Sequence, residues 1–396
     1  MFDILKQLEQ EKEYLIGLRR VFHEHPEPGL QEFHTAERIE AELNDSGIPC
    51  SRIGKTGVLG TIHGTGTGSG IVVLRADIDA LPIQETNDIP YRSQTEGVMH
   101  ACGHDAHTAC LLGAARLLAE HRDQFGGEIR LIFQPAEEIG QGADDFIRAG
   151  VLKNADRVFG IHTASEVPSG VVGLKPGLNN AAVDHFRIVV HGKSAHVSTP
   201  QLGIDALYIA SQIVVSIQAL VTRLTSPTEP VIIGIGKMEA GTTYNALAET
   251  AVLEGTTRTI SQESRERIRL LIDRTVQNTA DIYCGSAQTV WTGICSALIN
   301  DPGVCIEAEQ MIEKSGIGLQ VITDRELSLG GDNFAEFLLH VPGAYAYLGT
   351  GNPDLPDTLH APHNGNFNID ENMLVPGAAL YAGYALSRLS GTDRLR

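Results

Sequence analysis

The sequence is poor in positive charge, in paired cysteines and in long apolar runs. It has 30 lysine and arginine residues against 49 aspartate and glutamate residues, which gives a formal net charge of -19 at pH 7. Nucleic acids and anionic membranes attract proteins of the opposite sign. The composition therefore predicts binding to neither, and the acidity is explained by solubility alone.

No apolar stretch approaches the roughly 20 residues that a membrane-spanning helix needs. The longest candidate, residues 206–221, is interrupted by polar side chains and is interpreted as an amphipathic helix. The N-terminus carries charge too early for the apolar core of a secretory leader. The six cysteines lack CxxC pairs and the spacing of a disulfide framework. Together these features predict a reduced, cytoplasmic protein.

Ligand-type side chains are concentrated in residues 99–107, which hold one thiol, three imidazoles and one carboxylate: His100, Cys102, His104, Asp105 and His107. An apolar run over residues 111–118 follows and predicts a helix. A catalytic zinc site typically uses about three protein ligands and one open position. The rest of the chain must therefore supply further donors.

Apolar strands elsewhere in the chain lead into polar side chains. Residues 71–74 precede an Asp-rich stretch, 129–133 precede two glutamates, 158–161 precede a histidine, and 344–348 are followed by another histidine. In open α/β sheets, ligands bind at the carboxyl ends of the strands. We therefore expect six donor side chains to converge on one edge of the sheet: Cys102, His104, Glu137, Glu138, His162 and His360.

A segment with a different order of predicted strands and helices interrupts this pattern. Residues 183–291 are predicted to fold as β-α-β-β-α-β, the ferredoxin-like order. The predicted fold class is therefore α/β: a phosphorylase/hydrolase-like catalytic domain with a mixed central sheet flanked by helices, over 1–182 and 292–396, plus an inserted α+β domain. The glycine run 64–70 lacks the Lys-Ser/Thr ending of a phosphate loop and is predicted to be a hairpin turn.

The donor types indicate the chemistry. Thiolate and imidazole favour zinc or a neighbouring first-row ion over Mg²⁺ or Ca²⁺. The donors exceed the needs of one tetrahedral ion, which indicates two ions about 3.5 to 4 Å apart. Glu137 and Glu138 are adjacent, and neighbouring side chains of extended backbone point in opposite directions. One can bind metal while the other takes a proton from the attacking water and returns it to a leaving amine.

Several motifs together resemble the aminoacylase, hippurate hydrolase and indole-3-acetyl-amino-acid hydrolase branch of the dimetal amidohydrolase and metallopeptidase superfamily. They are residues 75–82, 99–107, 111–115, 133–138, 160–162 and 359–362, so the likeness covers nearly the whole chain. The resemblance implies that Cys102 bridges two divalent ions, Zn²⁺ or Mn²⁺, with Ni²⁺ or Co²⁺ also compatible. It implies four further ligands: His104, Glu138, His162 and His360.

The resemblance also implies roles for side chains away from the metals. Glu137 is the expected general base. Residues 183–291 are expected to form a lid that also serves dimerisation, with His196 stabilising the oxyanion. Asn245 and Arg258 are expected to hold the substrate carboxylate, in keeping with the two-pronged fit of arginine to carboxylates. Departures from the pattern at Ser194, Gln201 and Asp332 concern substrate preference.

The resulting hypothesis is a metal-dependent amidohydrolase that cleaves N-acetyl, N-benzoyl or aryl-acyl amino acids, assembled as a dimer or tetramer through the lid. On the same scaffold, a dipeptidase, an N-acetyl-diaminopimelate deacetylase and an aminobenzoyl-glutamate hydrolase remain alternatives. A catalytically silent metal- or ligand-binding protein is a further alternative, but pure binding needs no spare carboxylate beside Glu138. A redox protein using Cys102 is weaker, because no second cysteine lies nearby.

Overall fold

The computed structural model describes residues 3–390. The chain divides into two compact units. Residues 3–179, Ile299–Glu326 and 333–390 form the first, and Asn180–Leu298 with Leu327–Asp332 form the second. The predicted insertion, residues 183–291, falls within the second unit.

The elements follow one another in this order. The first unit begins with α1 (Ile4–Gln10), α2 (Lys12–Glu24), α3 (Phe33–Asp45), β1 (Cys50–Ile53), β2 (Gly57–His63) and β3 (Ile71–Asp77). It continues with α4 (His104–Glu120), β4 (Glu128–Gln134), α5 (Ala143–Arg148), β5 (Arg157–Pro168), β6 (Val171–Gly173) and β7 (Gly177–Asn180). The second unit contains β8 (Ala182–His191), α6 (Ala206–Leu224), β9 (Ile232–Ala240), β10 (Thr250–Thr259), α7 (Gln262–Ile282) and β11 (Ser286–Cys295). The last elements are β12 (Leu298–Asn300), α8 (Pro302–Ser315), β13 (Gln320–Ile322), α9 (Phe334–Leu338), β14 (Gly343–Gly351) and α10 (Leu374–Leu389).

The first unit is built on an eight-stranded mixed sheet in the order β1-β2-β4-β3-β5-β14-β6-β13. Its central strands β4, β3, β5 and β14 run parallel, whereas β1 with β2, β2 with β4, and β14 with β6 pair antiparallel. The parallel strands bring their carboxyl ends to one edge of the sheet. The predicted mixed α/β fold with a helix-flanked sheet is confirmed.

The glycine run 64–70 does not form the predicted hairpin. β2 and β3 are not neighbours, because β4 lies between them and pairs antiparallel with β2 and parallel with β3. The physical reason is the apolar content of β3: Val72, Val73 and Leu74 are buried, and a strand that is apolar on both faces belongs in the sheet interior.

Two helices carry most of the helical core of the first unit. α4 is buried along almost its whole length from His104 to Leu118, and α10 is buried on most of its surface. α4 packs against α10, α2 and β3. The helix that begins at the ligand-rich stretch is therefore held on several sides, and its first turn is fixed by packing.

The second unit is a four-stranded antiparallel sheet in the order β11-β8-β10-β9, with α6 and α7 packed on it. Asp205 caps α6 and Ser261 caps α7 through side-chain oxygens that accept backbone N–H groups. α6 is the one helix of the described residues that is long and apolar enough to cross a membrane. Its inner face, which includes Ile209, Ile213 and Ile217, is buried in the core of this unit.

Candidate metal centre

Five donor side chains meet at the carboxyl edge of the main sheet. They form overlapping groups whose donor atoms lie within 4.8 Å of one another, and together they comprise Cys102, His104, Glu138, His162 and His363. We call this set the donor cluster. Glu137 joins one of the groups, with His104 and Glu138. Four of the expected ligands are therefore brought together.

The backbone around Cys102 depends on one glycine. Gly103 precedes the first residue of α4 and has a φ of 87°, which residues other than glycine seldom adopt. A Cβ atom at this position would also collide with the hydroxyl of Thr163 on β5. Gly103 therefore lets the first turn of α4 approach β5, and this approach brings the side chains of Cys102 and His104 close to that of His162.

His104 and His162 are held by hydrogen bonds from their outer nitrogens, and their Nε2 atoms lie within the donor cluster. The Nδ1 atom of His104 donates to the carbonyl oxygen of Asp79 at 2.9 Å, and the Nδ1 atom of His162 donates to the carbonyl oxygen of Thr163 at 2.6 Å. The Nε2 atom of His162 then lies 3.5 Å from the sulfur of Cys102. Such outer bonds fix the tautomer and orientation of metal-binding imidazoles.

Glu137 and Glu138 follow a strained residue at the end of β4. Ala136 has a φ of 58°, in a region that costs about 1 to 3 kcal/mol for a non-glycine residue. The carboxylate of Glu32 accepts the N–H of Ala136 at 2.9 Å and holds this conformation. Contrary to the expectation of extended backbone, Glu137 and Glu138 lie in a short 3₁₀ helix, Glu137–Ile139.

The two carboxylates nevertheless have different partners. Glu138 faces the donor cluster, with Oε1 3.9 Å from His104 Nε2 and Oε2 3.3 Å from His363 Nε2. Glu137 accepts the backbone N–H of Asn333 through Oε1 at 3.1 Å. The turn thus gives Glu137 and Glu138 the separate orientations that two roles require.

Two buried atoms of the donor cluster indicate that it fits a cation. His104 Nε2 and Glu138 Oε1 are buried and have no hydrogen-bond partner among residues 3–390. Buried polar atoms without partners are costly, and a divalent ion bound between a carboxylate and imidazoles would satisfy both. The mixture of sulfur, nitrogen and oxygen donors fits zinc or a neighbouring first-row ion.

The shifted pKa values of Cys102 and Glu138 are also compatible with a bound cation. Burial raises the pKa of the Cys102 thiol well above its usual value, and the Glu138 carboxylate adds to this effect. Burial acts to raise the pKa of Glu138 as well, but the hydrogen bond with His363 and the charge of His104 lower it overall. A metal ion would replace the thiol proton, since ligation requires the thiolate.

A further imidazole, His107, is buried beside the cluster, and its donor atom lies within 4.8 Å of donor atoms of Asp77 and His104. His107 Nδ1 hydrogen-bonds Asp77, and His107 Nε2 accepts the backbone N–H of Thr163 at 2.8 Å. Asp77 is also paired with the guanidinium of Arg75 at 2.6 Å. Burial acts to raise the pKa of Asp77, but the positive charge of Arg75 and the neighbouring imidazoles keep it well below its usual range.

His360, the expected fifth ligand, is not in any donor group found within residues 3–390. Its side chain is exposed and follows the 3₁₀ helix Pro356–Leu359. His363 lies in a donor group with Cys102 and Glu138 instead. It has a positive φ, its backbone N–H donates to the carbonyl oxygen of Ala101 at 2.7 Å, and its Nε2 lies 3.3 Å from Glu138. The signal in the sequence was a second imidazole three residues after His360.

The expected lid residues lie in the second unit. His196 Nδ1 accepts the backbone N–H of Ser198 at 3.1 Å, and the His196 backbone bridges to Ala246 beside Asn245. Asn245 accepts the hydroxyl of Thr243 at 3.1 Å. Arg258 lies on β10, and its Nη1 donates to the carbonyl oxygen of Thr257 at 3.1 Å. His196 and Asn245 therefore lie on adjacent loops of that unit.

Comparison with known proteins decides the family. Residues 73–387 match the model of peptidase family M20/M25/M40. The chain belongs to this family. Family membership and the donor cluster together make it a metal-dependent hydrolase of amide bonds with donors for two divalent ions.

Several M20 relatives cover nearly the whole chain. An N-acetyl-L-cysteine deacetylase of Bacillus subtilis is 41% identical over 362 residues, which is 91% of this chain and 85% of the relative. Thermostable carboxypeptidase 2 of Saccharolobus solfataricus is 37% identical over 97% of this chain and 98% of its own. The structure of a Bacillus subtilis protein, described as a dinuclear metal-binding peptidase of the M20 family, superimposes with a TM-score of 0.82 at 34% identity, covering 97% of this chain and 100% of that one. These similarities confirm the resemblance inferred from the motifs.

Proposed function

We propose that this M20 protein hydrolyses the amide bond of N-acyl amino acids and releases a carboxylic acid and an amino acid. The ligands are Cys102, His104, Glu138 and His162, with His363 taking the place that the sequence suggested for His360. Two divalent ions bound there supply Lewis acidity for the scissile carbonyl and lower the pKa of water.

Glu137 is the proposed general base, and its separation from Glu138 is the observation that carries the proposal. Its carboxylate lies beside the donor cluster and is oriented by the N–H of Asn333. From this position Glu137 accepts a proton from the attacking water and delivers it to the departing nitrogen. A carboxylate that was only a metal ligand would not need this separate anchor.

The experiment compares Glu137→Gln with the wild type on N-acetyl amino acids. Glu137→Gln should keep the wild-type metal content and lose at least about 100-fold in kcat, the usual contribution of general acid–base catalysis. Glu336→Gln, a change to another glutamate of the same unit outside the donor cluster, is the matched control. A Glu137→Gln variant with near-normal kcat would remove Glu137 from this role.

Carboxypeptidase activity is the second candidate, because the Saccharolobus relative carries that name. Peptides and N-acyl amino acids share an amide bond next to a free carboxylate, so the same centre can process both. Relative kcat/KM on N-acetyl, N-benzoyl and dipeptide substrates separates an acylase from a carboxypeptidase or dipeptidase.

In the second unit, His196 is proposed to stabilise the oxyanion, and Asn245 and Arg258 to bind the substrate carboxylate. We also propose a cytoplasmic homo-oligomer that associates through this unit, where α6 exposes Leu207, Tyr208 and Val215. Light scattering after gel filtration tests the assembly, and a Val215→Glu variant that leaves the mass unchanged would count against this face.

A further inference from the structure

Arg325 is a nearly buried cation with unused hydrogen-bond donors. It follows β13 in the first unit, and its side chain is only 13% exposed. Its guanidinium carbon lies 3.7 Å from the centre of the Tyr347 ring. Nη2 donates to Glu166 at 2.7 Å, whereas Nε and Nη1 are buried and have no hydrogen-bond partner in the described part of the chain.

This guanidinium lies close to the donor cluster. Tyr347 on β14 is the direct neighbour of His162 on β5, and the two rings stack with centroids 6.1 Å apart. Glu166 is also on β5, four residues beyond His162. One aromatic ring, Tyr347, therefore separates Arg325 from a proposed metal ligand, His162.

We infer that Arg325 binds the free carboxylate of the substrate. Arginine presents five N–H donors in a planar fork that matches the two oxygens of a carboxylate. Glu166 uses one nitrogen of this fork, and the Glu166 side chain is 55% exposed. A substrate carboxylate takes the place of Glu166 at Nη2 and, after a small shift of the guanidinium over the Tyr347 ring, also contacts a nitrogen that is now unpaired.

This inference rests on the proposed function and deepens it. It assigns recognition of an N-acyl amino acid's carboxylate to the catalytic unit itself, in addition to the residues proposed on the second unit. It also explains why a cation lies beside a centre that binds cations: the substrate anion compensates for both. The expected specificity is for amides with a free carboxylate on the amine side.

Arg388 provides a matched control for a structural role. It too has a buried Nε without a partner among residues 3–390, and it pairs with a glutamate, Glu307, at 3.1 Å. However, Arg388 lies in the last turn of α10 and belongs to a cluster with Arg157 and Tyr384. The two arginines thus share their chemistry and differ in position.

Binding is measured in the Glu137→Gln background, because turnover is then too slow to interfere. The metal-loaded protein is titrated calorimetrically with N-acetyl-L-methionine and with its α-carboxamide. Adding Arg325→Gln should weaken binding of the acid at least tenfold, about the loss expected for a charge-assisted contact. It should leave the carboxamide affinity and the metal content unchanged, and Arg388→Gln should change neither affinity.

Glu166→Gln tests the exchange of partners. Removing the competing charge should tighten binding of the acid by up to about fivefold, the range of an exposed ion pair, and leave the carboxamide unaffected. Weaker binding of the acid in Glu166→Gln would show that Glu166 orients Arg325 rather than competing with the substrate.

The outcomes separate this inference from the proposed function. If Arg325→Gln lost equal affinity for the acid and the carboxamide, or no affinity for either, Arg325 would not bind the carboxylate. The proposed hydrolase function would be unaffected by that result. A protein with intact Glu137 that binds N-acetyl-L-methionine but does not cleave it would refute the proposed function and leave the carboxylate site standing. A protein that does not bind the acid at all refutes both.

Discussion

Two buried clusters of histidine and carboxylate flank the start of α4, and they solve the same electrostatic problem differently. The donor cluster contains His104, the first residue of the helix. The second, which we call the arginine cluster, contains the next residue, Asp105, together with Arg19, His23 and Glu85. All four are fully buried or nearly so.

In the arginine cluster the cation comes from the chain. Arg19 Nε pairs with Asp105 at 2.7 Å, and His23 bridges Asp105 at 2.8 Å and Glu85 at 3.1 Å. In the donor cluster, Glu138 and His104 each keep a buried atom without a partner in residues 3–390, and in the arginine cluster Asp105 keeps one, Oδ1. Buried charges must be paired or coordinate metals. Arg19 compensates the charge of Asp105 within the arginine cluster, whereas the thiol, imidazoles and carboxylate of the donor cluster are suited to metal ions.

The largest predicted effect is the loss of hydrolytic activity when metal is removed from the donor cluster. Dialysis against a chelator should reduce hydrolysis of N-acyl amino acids at least about 1000-fold, because Lewis-acid stabilisation is worth several kcal/mol. Mn²⁺ or Zn²⁺ should restore the rate, with metal content followed by elemental analysis. Unchanged activity in protein shown to be free of metal would contradict the claim that the donor cluster needs ions.

Breaking the arginine cluster should cost stability rather than chemistry. Arg19→Met leaves Asp105 buried without its partner and should lower the free energy of unfolding by about 3 kcal/mol, measured by urea titration. Arg20→Met is the control, since Arg20 is 42% exposed in its pair with Glu371 and should cost less than about 1 kcal/mol. Equal costs would show that Arg19 contributes no more than a surface ion pair.

Variants of His360 and His363 test which of these two histidines belongs to the donor cluster. His363→Ala should weaken metal binding by about 10- to 100-fold, an effect of the size reported for removing metal-site interactions, because it removes a donor beside Glu138. His360→Ala should retain the wild-type affinity, since that side chain is in none of the donor groups within residues 3–390. Competition with a chromogenic chelator gives both affinities, and the reverse ranking would return the ligand role to His360.

The smallest predicted effect is a pH dependence of the arginine cluster. Burial and the charge of Arg19 act to lower the pKa of His23, but hydrogen bonds and charge from Asp105 and Glu85 raise it overall. A raised pKa stabilises the fold below the unfolded value of about 6.5. That contribution disappears as the pH rises through the higher folded pKa.

His23→Gln isolates this contribution. The difference in unfolding free energy between wild type and His23→Gln, both free of metal, should shrink as the pH is raised from 6 to 9, because the pKa of His23 is raised in the folded protein. His25→Gln is the control, because that side chain is exposed. A difference that is constant over this range would mean that His23 gains nothing from being protonated.

The sequence by itself determined the catalytic unit's chemistry. Cys102, His104, Glu137 and Glu138 are close in the chain or follow a buried strand, so strand periodicity and donor type suffice to group them. The apolar strands 71–74, 129–133 and 158–161 lie within β3, β4 and β5, because burial on both faces leaves a continuous apolar signal.

Only the tertiary structure decided which of two nearby histidines reaches the site, how Glu137 is oriented, and where Arg325 lies. His363 is selected by a positive φ and a bond to Ala101, Glu137 by the N–H of Asn333, and Arg325 by stacking on Tyr347. β4 also separates β2 from β3, which the glycine run between them did not reveal. These outcomes depend on contacts between residues far apart in the chain, and such contacts leave no local periodicity in a single sequence.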